Sequence, residues 1–297
     1  MSRVVLMALT FLSASPAVAA AAEPARPIDV YLIGGQSNAT GQGYLVNLPK
    51  GFAPDPRVLL FHSGRPHLDS GAEPKTWVPL RQASESPDRF GPELGFGNRL
   101  QELTPGRTIA LIKHAQSGSN LFSQWNPGKD AADREHFGPQ FRTFVETVEL
   151  GLKGLRERGY DPTIRGMVWQ QGESDSKDPD VAAAYGTNLA HFLARVREQF
   201  GSPGLVFVYG YVMPPPNEGP GRDLVRKGQK EVDQGSGTPL AVKGAFVVES
   251  DDLSQRADDP NSPLPRDRNH FGTAGQLELG RRMAETMAGG MATRKSM

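Results

Sequence analysis

The sequence contains no cysteine, no excess of either charge and no hydrophobic run long enough to cross a bilayer. Without cysteine the chain has no thiol nucleophile, disulfide or thiolate-bound metal. Its 33 basic and 33 acidic residues give a formal net charge of zero. It therefore has no basic field for binding nucleic acid and no charged run typical of a membrane surface. With 297 residues, 37% of them hydrophobic, it is long enough to bury a full core.

Several enzyme signatures are also missing. The chain has no G-x-S-x-G elbow, no H-E-x-x-H zinc motif and no G-x-x-x-x-G-K-[ST] phosphate loop. Its histidines are not grouped with other ligands at metal-binding spacing. We therefore predict no metal and no cofactor.

The amino terminus has the pattern of a secretory signal. Arg3 precedes an apolar run at 4–12, and small residues follow through Ala17-Val18-Ala19. The alternative is a membrane anchor, but this run is too short to span the hydrocarbon core. We predict a signal peptide at 1–22 and an exported protein, periplasmic or extracellular, that does not insert into a membrane after cleavage.

The rest of the chain alternates short apolar runs with amphipathic stretches. This alternation predicts parallel βαβ units and a sheet covered by helices on both faces, in one domain over 23–297. Residues 57–61 and 76–80 favour a β-hairpin or loop at the sheet edge. Strands are predicted at 108–113, 164–169, 205–211 and 244–248, with helices near 92–104, 141–158, 179–200 and 224–232, and a last helix with a Thr273–Gln276 capping box.

The stretch 29–41 is the most informative part of the sequence. An apolar run ends in two glycines, and Ser37 follows where a buried strand stops. Open α/β sheets place their chemistry at the carboxyl ends of their strands. Ser37 is therefore a candidate nucleophile, although a serine here could instead cap the next helix.

Three later loops contain the other groups that acyl transfer needs. Asp267 and His270 are spaced so that the carboxylate could orient the imidazole toward Ser37, although His270 could also be a surface residue. The N–H groups of Ser37 and Gly118 and the Gln171 amide could bind an oxyanion. Alternatively, Gly118 forms an ordinary turn and Gln171 pins its loop.

These blocks together resemble the SGNH hydrolases, and more narrowly their sialate O-acetylesterase and acetylxylan esterase branch, carbohydrate esterase family 6. The resemblance covers about 28–290 and rests on four ordered blocks: 34–38, the Gly118 loop, 171–175 and 267–270. It implies a three-layer α/β/α flavodoxin-like sandwich with a central parallel sheet and metal-independent hydrolysis. It also implies the triad Ser37, His270 and Asp267, with an oxyanion hole formed by Ser37, Gly118 and Gln171.

Relatives usually carry Met at the position of Ala39, glycine at Ser117 and often His at Gln170. These departures remove no catalytic atom, but the resemblance leaves open the shape of the acyl pocket and with it the substrate. We assign substrate contacts to Gln36, Asn38 and Glu173. Glu173 could instead brace the oxyanion loop. Trp125 is a candidate platform for a sugar face, or an ordinary core residue of its loop.

The sequence thus predicts a secreted serine esterase that acts on acetylated carbohydrate. A paired-carboxylate glycosidase would leave Ser37 and His270 unexplained. Two alternatives stay open. A lipolytic or thioesterase SGNH enzyme should have a large apolar acyl tunnel, and a sugar-binding protein of the same fold would lack turnover.

Overall fold

The chain alternates strands and helices as the sequence pattern predicts. The computed structural model describes residues 24–64, 75–212 and 220–295, and the predicted signal peptide lies outside them. The strands are β1 (Arg26–Gly35), β2 (Gly43–Tyr44), β3 (Leu59–His62), β4 (Val78–Pro79), β5 (Arg89–Phe90), β6 (Ile109–Ala115), β7 (Tyr160–Gln170), β8 (Val206–Gly210) and β9 (Ala245–Val248). The helices are α1 (Ser37–Thr40), α2 (Glu93–Leu103), α3 (Pro139–Glu157), α4 (Pro179–Ala183), α5 (Tyr185–Gln199), α6 (Arg222–Val232) and α7 (Thr273–Lys295).

The main sheet has seven strands in the order β4-β3-β6-β1-β7-β8-β9. Every neighbouring pair is parallel except β3 and β4, which form the predicted hairpin at the edge. Without that hairpin, the remaining strands follow the flavodoxin-like order 2-1-3-4-5. The predicted fold class is confirmed, and β1 lies at the centre of the sheet beside the switch point.

Two apolar cores cover the two faces of this sheet. One core joins the sheet to α3, α5 and α6 through residues such as Phe144, Phe192 and Val225. The other joins it to α2 and α7 through Leu94 and Met283. The outer elements therefore hold the central strands on both faces, and the loops at their carboxyl ends rest on a rigid base.

Strand β1 explains why Ser37 is placed so firmly. Its residues from Ile28 to Gly35 are buried, as expected for a β-branched strand covered on both sides. At its end Gly35 has φ +135°, and a Cβ there would lie 2.1 Å from the carbonyl oxygen of Gln170. Only glycine allows β1 to approach β7 this closely at the turn into α1.

Two local predictions need correction. The helix predicted to run from 179 to 200 is broken at Ala184 into α4 and α5, although Asp178 caps its start as expected. The Thr273–Gln276 capping box is absent. Thr273 instead donates to Asp259 and the Tyr44 carbonyl, and Gln276 donates to the Asn38 carbonyl.

Candidate active site

A cavity of about 400 Å³ lies at the carboxyl edge of the sheet. Its lining includes Ser37 after β1, Gly118 after β6, Glu173 after β7 and His270 before α7. Because parallel strands end at the same edge, these four chain segments converge although they are far apart in sequence. A larger cavity of about 770 Å³ lies near Asp29 at the opposite edge, away from this group.

Ser37, His270 and Asp267 form a continuous hydrogen-bonded chain. Ser37 Oγ lies 3.0 Å from His270 Nε2. His270 Nδ1 lies 2.8 Å from Asp267 Oδ2 and 3.0 Å from Oδ1. Ser37 is 6% exposed, so its hydroxyl meets the cavity and little other solvent. The arrangement has the geometry of a nucleophile, a base and an orienting carboxylate.

The surroundings of Asp267 favour its ionised form. Burial acts to raise the pKa of its carboxyl, but the hydrogen bond and charge of His270, the Asn269 N–H and the Arg256 guanidinium together hold the pKa below its ordinary value. The Asn269 N–H lies 3.0 Å from Oδ1, and Arg256 Nη1 lies 3.2 Å from Oδ2. Asp267 therefore presents a fixed negative charge to His270.

Two backbone N–H groups at the cavity are available to an anion. Among the described residues, neither the Ser37 N–H nor the Gly118 N–H has a hydrogen-bond acceptor. Gly118 has φ +72°, a left-handed conformation that directs its peptide as an ordinary residue rarely would. Ser37 and Gly118 both line the cavity, and their role as oxyanion donors stays a prediction.

The predicted direct role of the Gln171 side chain is not what the structure shows. Gln171 is 0% exposed, and its amide nitrogen donates to Asp175, to the Ser119 carbonyl and to Gln36. Its amide oxygen accepts from the Tyr185 hydroxyl at 3.0 Å. Gln171 therefore braces the loop behind the cavity. This is the second interpretation given from the sequence, in which Gln171 pins its loop.

Asp175 joins the two loops that flank Ser37. It accepts the Leu121 N–H at 2.8 Å, the Phe122 N–H at 3.0 Å and the Gln171 amide. Burial raises the pKa of Asp175, although these donors act in the opposite direction. The Gly118 loop is thereby tied to the loop after β7.

Asn38 is not exposed to substrate as predicted, because it is 0% exposed. Its amide nitrogen donates to Glu173 Oε1 at 2.9 Å and to the Asn269 carbonyl at 3.1 Å, and its oxygen accepts the Phe271 N–H at 3.0 Å. The side chain is bonded to protein at both ends because the loops close over it. Asn38 is therefore a positioning residue.

Gln36 and Glu173 do line the cavity. The Gln36 oxygen accepts from the Ser174 N–H at 3.1 Å and from Gln171, which fixes the loop after β7. Glu173 is 8% exposed. Its Oε1 accepts from Asn38, whereas its buried Oε2 has no hydrogen-bond partner among the described residues. Substrate contact by these two side chains stays a prediction.

The prediction that Trp125 stacks on a sugar is wrong. Trp125 is 0% exposed and packs edge-on against Trp169, with ring centroids 4.9 Å apart. Its indole N–H donates to Ser119 Oγ at 2.8 Å. The loop after β6 folds back over the sheet, so Trp125 belongs to the core beneath the Gly118 turn.

Arg256 was not predicted from the sequence. This arginine is 3% exposed, lines the cavity and contacts Asp267. Nothing in its neighbours Gln255 and Ala257 distinguishes it from other arginines. Its role depends on a tertiary contact that the sequence does not show.

The cavity offers no cluster of metal ligands. In the part of the chain that the structure describes, Asp133, Glu135 and His136 form the one group with suitable ligand spacing, and none of them lines this cavity.

No described helix is both long and apolar enough to cross a membrane.

Comparisons with known structures agree with this fold. An Arabidopsis thaliana protein, AT4G34215, superposes with a TM-score of 0.64 at 20% identity, covering 89% of this chain and 99% of the other. NanS superposes with a TM-score of 0.63 at 17% identity, covering 92% and 99%. At these identities the similarity establishes the fold alone.

Sequence comparison establishes the family. A probable carbohydrate esterase of Arabidopsis thaliana, At4g34215, is 23% identical over 276 residues, which are 88% of this chain and 91% of the relative. Residues 27–289 match the family described as "Carbohydrate esterase, sialic acid-specific acetylesterase". The chain therefore belongs to this family of carbohydrate esterases and is a carboxylic ester hydrolase.

Proposed function

We propose that the protein is an exported serine esterase that removes O-acetyl groups from carbohydrates, with Ser37 as nucleophile, His270 as general base and Asp267 as the orienting carboxylate. The observation that carries the proposal is the Ser37–His270–Asp267 hydrogen-bond chain at the wall of the cavity. All three groups needed for turnover are present in contact, which argues against a purely sugar-binding protein.

The steps follow from this geometry. Ser37 Oγ attacks the acetyl carbonyl carbon while its proton moves to His270 Nε2, and the Ser37 and Gly118 N–H groups bind the oxyanion. The tetrahedral intermediate collapses, the sugar oxygen takes the proton from His270 and leaves, and Ser37 holds the acetyl group. Water then attacks this acetyl ester, transfers its proton through His270, and releases acetate and the Ser37 hydroxyl.

The cavity lining supports a short acyl group. Among the described residues that line it, Leu264 is the only large aliphatic side chain, and the others are polar, charged or glycine. A long acyl chain would gain little by entering such walls, because apolar burial supplies about 25 cal/mol per Å² only where apolar partners are available. This lining favours acetate over the long chains of a lipolytic enzyme.

The charges around the cavity support an acidic sugar. Arg256 is paired with Asp267, but the rest of the described lining still has more cations than carboxylates. Exposed Lys177 forms no ion pair within the described residues. A sugar carboxylate would gain from this field, whereas neutral xylan would not. The charged lining residues are Arg89, Lys177, Arg222, Arg256, Glu85 and Glu173. We therefore propose O-acetylated sialic acid ahead of acetylxylan.

Two substrate series test this proposal. Aryl esters from acetate to octanoate should show a steep fall in kcat/KM after acetate or propionate, whereas activity that climbs with chain length would indicate a lipolytic enzyme. Acetate release should be faster from O-acetylated sialic acid than from acetylxylan. The reverse order would overturn the choice of an acidic sugar while leaving the esterase chemistry intact.

Export is proposed from the sequence of residues 1–22, which lie outside the described residues. Cleavage there would leave one catalytic domain over 23–297. Expression of the full chain in a bacterial host with amino-terminal sequencing of the exported protein should give a start near Glu23. Retention of residues 1–22 on a cell-associated protein would contradict the proposal.

A further inference from the structure

Arg256 lies directly behind the proposed triad. Its Nη1 is 3.2 Å from Asp267 Oδ2, which is the oxygen that lies 2.8 Å from His270 Nδ1. The arginine side chain is 4% exposed. The carboxylate thus lies between an imidazole and a buried guanidinium.

The position of Arg256 is fixed by several independent contacts. Nη1 also donates to Gln42 Oε1 at 3.0 Å, Nε donates to the Tyr44 hydroxyl at 3.2 Å, and the guanidinium lies 5.0 Å above the Tyr44 ring. Its backbone N–H donates to the His270 carbonyl at 2.8 Å. Because both backbone and side chain are held, the guanidinium is a fixed charge and not a mobile one.

We propose that Arg256 is a fourth, positioning member of the catalytic group: its fixed charge holds the Asp267 carboxylate in register with His270 and sets how the activity of the group depends on pH. The inference rests on the proposed triad. A buried cation disfavours a second positive charge nearby, whereas an unscreened carboxylate would favour one. The activity of the enzyme would then extend to lower pH than it would without this charge.

Other charges also face the cavity and must be separated from this effect. Charged side chains lie around His270 on its own loop, on the loop after β7, on α6, and on β5 with the segment before it. In that order the groups are Asp267 and Arg256, Glu173 and Lys177, Arg222, and Glu85 and Arg89. Only Arg256 contacts Asp267 among these cations, so its removal should act in a way that the others do not reproduce.

The test compares three variants by kcat and kcat/KM from pH 4 to 9 on an uncharged aryl acetate, which has no carboxylate to bind. Arg256→Met should move the acid limb of kcat/KM to higher pH by about one unit and lower the plateau about 10-fold. Arg256→Lys keeps a positive charge but loses the planar guanidinium with its several N–H donors. The acid limb of kcat/KM should therefore stay in place while kcat falls about 10-fold.

Arg268→Met is the matched control. Arg268 lies in the same loop, but its side chain is 55% exposed and it pairs with Asp258. The variant removes the same charge and should keep the wild-type profile, because solvent screens an exposed arginine. An equal shift of the acid limb of kcat/KM in Arg268→Met would mean that any nearby positive charge has this effect, and it would overturn the proposal.

The results for the two Arg256 variants also support or overturn the proposal. A folded Arg256→Met enzyme with an unmoved acid limb overturns the proposal, whatever its kcat. If Arg256→Met does not fold, wild-type kcat in Arg256→Lys overturns it, and a lowered kcat with an unmoved limb supports it. Ser37→Ala is run beside them, since wild-type turnover by that variant would refute the triad itself and not only the Arg256 inference.

Discussion

The side chain of Asn38 holds the backbone on both sides of His270. Its nitrogen donates to the carbonyl of the residue before His270, and its oxygen accepts the N–H of the residue after it. Ser37, the neighbour of Asn38, lies 233 residues from His270 in the sequence. One buried amide therefore sets the separation between the proposed nucleophile and its base.

Asn38→Asp should weaken this link while keeping the shape of the side chain. The carboxylate still accepts the Phe271 N–H, but it loses both donated bonds and faces Glu173 Oε1, which lies 2.9 Å from the Asn38 nitrogen. We expect kcat to fall about 100-fold with little change in KM, because the base is misplaced and the substrate is not touched. We also expect a loss of about 2 kcal/mol in the free energy of unfolding. A raised KM with unchanged kcat would instead restore Asn38 as a substrate contact.

Asp267→Asn should lower kcat about 10,000-fold, since an amide favours the wrong tautomer of His270. The two nearby carboxylates are engaged elsewhere, because Asp258 pairs with Arg268 and Asp259 accepts the Thr273 N–H. No substitute orienting group is therefore expected. Steady-state kinetics on an aryl acetate measure the loss, and near-normal turnover would move the orienting role away from Asp267.

The same variant should change how stability depends on pH. Because the folded pKa of Asp267 is held below the ordinary value of 3.8, its ionised form stabilises the fold above that pH, and this contribution is lost as pH falls through the folded pKa. Between pH 6 and pH 3, the wild type should therefore lose more free energy of unfolding than Asp267→Asn. Urea unfolding at several pH values measures the difference, and identical pH slopes would refute it.

Gly118→Ala tests the second oxyanion donor. A Cβ at Gly118 would meet nothing within 4 Å, so the substitution causes no clash, but φ +72° is costly for alanine by about 1 to 2 kcal/mol. Relief of that strain turns the peptide away from the cavity. We expect kcat to fall at least about 10-fold with KM nearly unchanged. Gly51→Ala is the control, since Gly51 also has positive φ and open space but does not line the cavity.

Trp125→Phe separates the core role of this residue from sugar binding. The variant loses the indole hydrogen bond to Ser119 and part of the packing against Trp169. The free energy of unfolding should fall by about 1 to 3 kcal/mol, with KM for the glycan close to wild type. Thermal unfolding and steady-state kinetics check both parts. A large rise in KM at unchanged stability would favour a sugar platform after all.

Much of the fold could be predicted because its signals are local. The period of apolar residues and the turns at Gly and Pro indicated the strands from β6 to β9 and the long helices. The failures occurred where tertiary partners competed with local ones. Thr273 and Gln276 fit a capping box in sequence, but they bond to Asp259 and Asn38 because those groups lie close in the folded chain.

In the candidate site too, residues with a local sequence signal were predicted and residues placed by tertiary contacts were not. Ser37, Asp267 and His270 were predicted because strand ends and short spacings mark them, and the structure brings them into contact. The buried state of Trp125 was not predictable, since a tryptophan in a polar loop is read equally as a surface or a core residue. Arg256 carries no local signal, because its partner Asp267 is 11 residues away along an irregular loop.

Acetate release from O-acetylated sialic acid by purified wild type and Ser37→Ala tests whether Ser37 is the nucleophile. Ser37 is a small side chain at a cavity wall, so the variant should fold normally, which its circular dichroism and melting temperature would verify. We expect acetate release by the wild type and a loss of at least about 10,000-fold in Ser37→Ala. A folded Ser37→Ala protein that releases acetate at the wild-type rate would rule out Ser37 as the nucleophile.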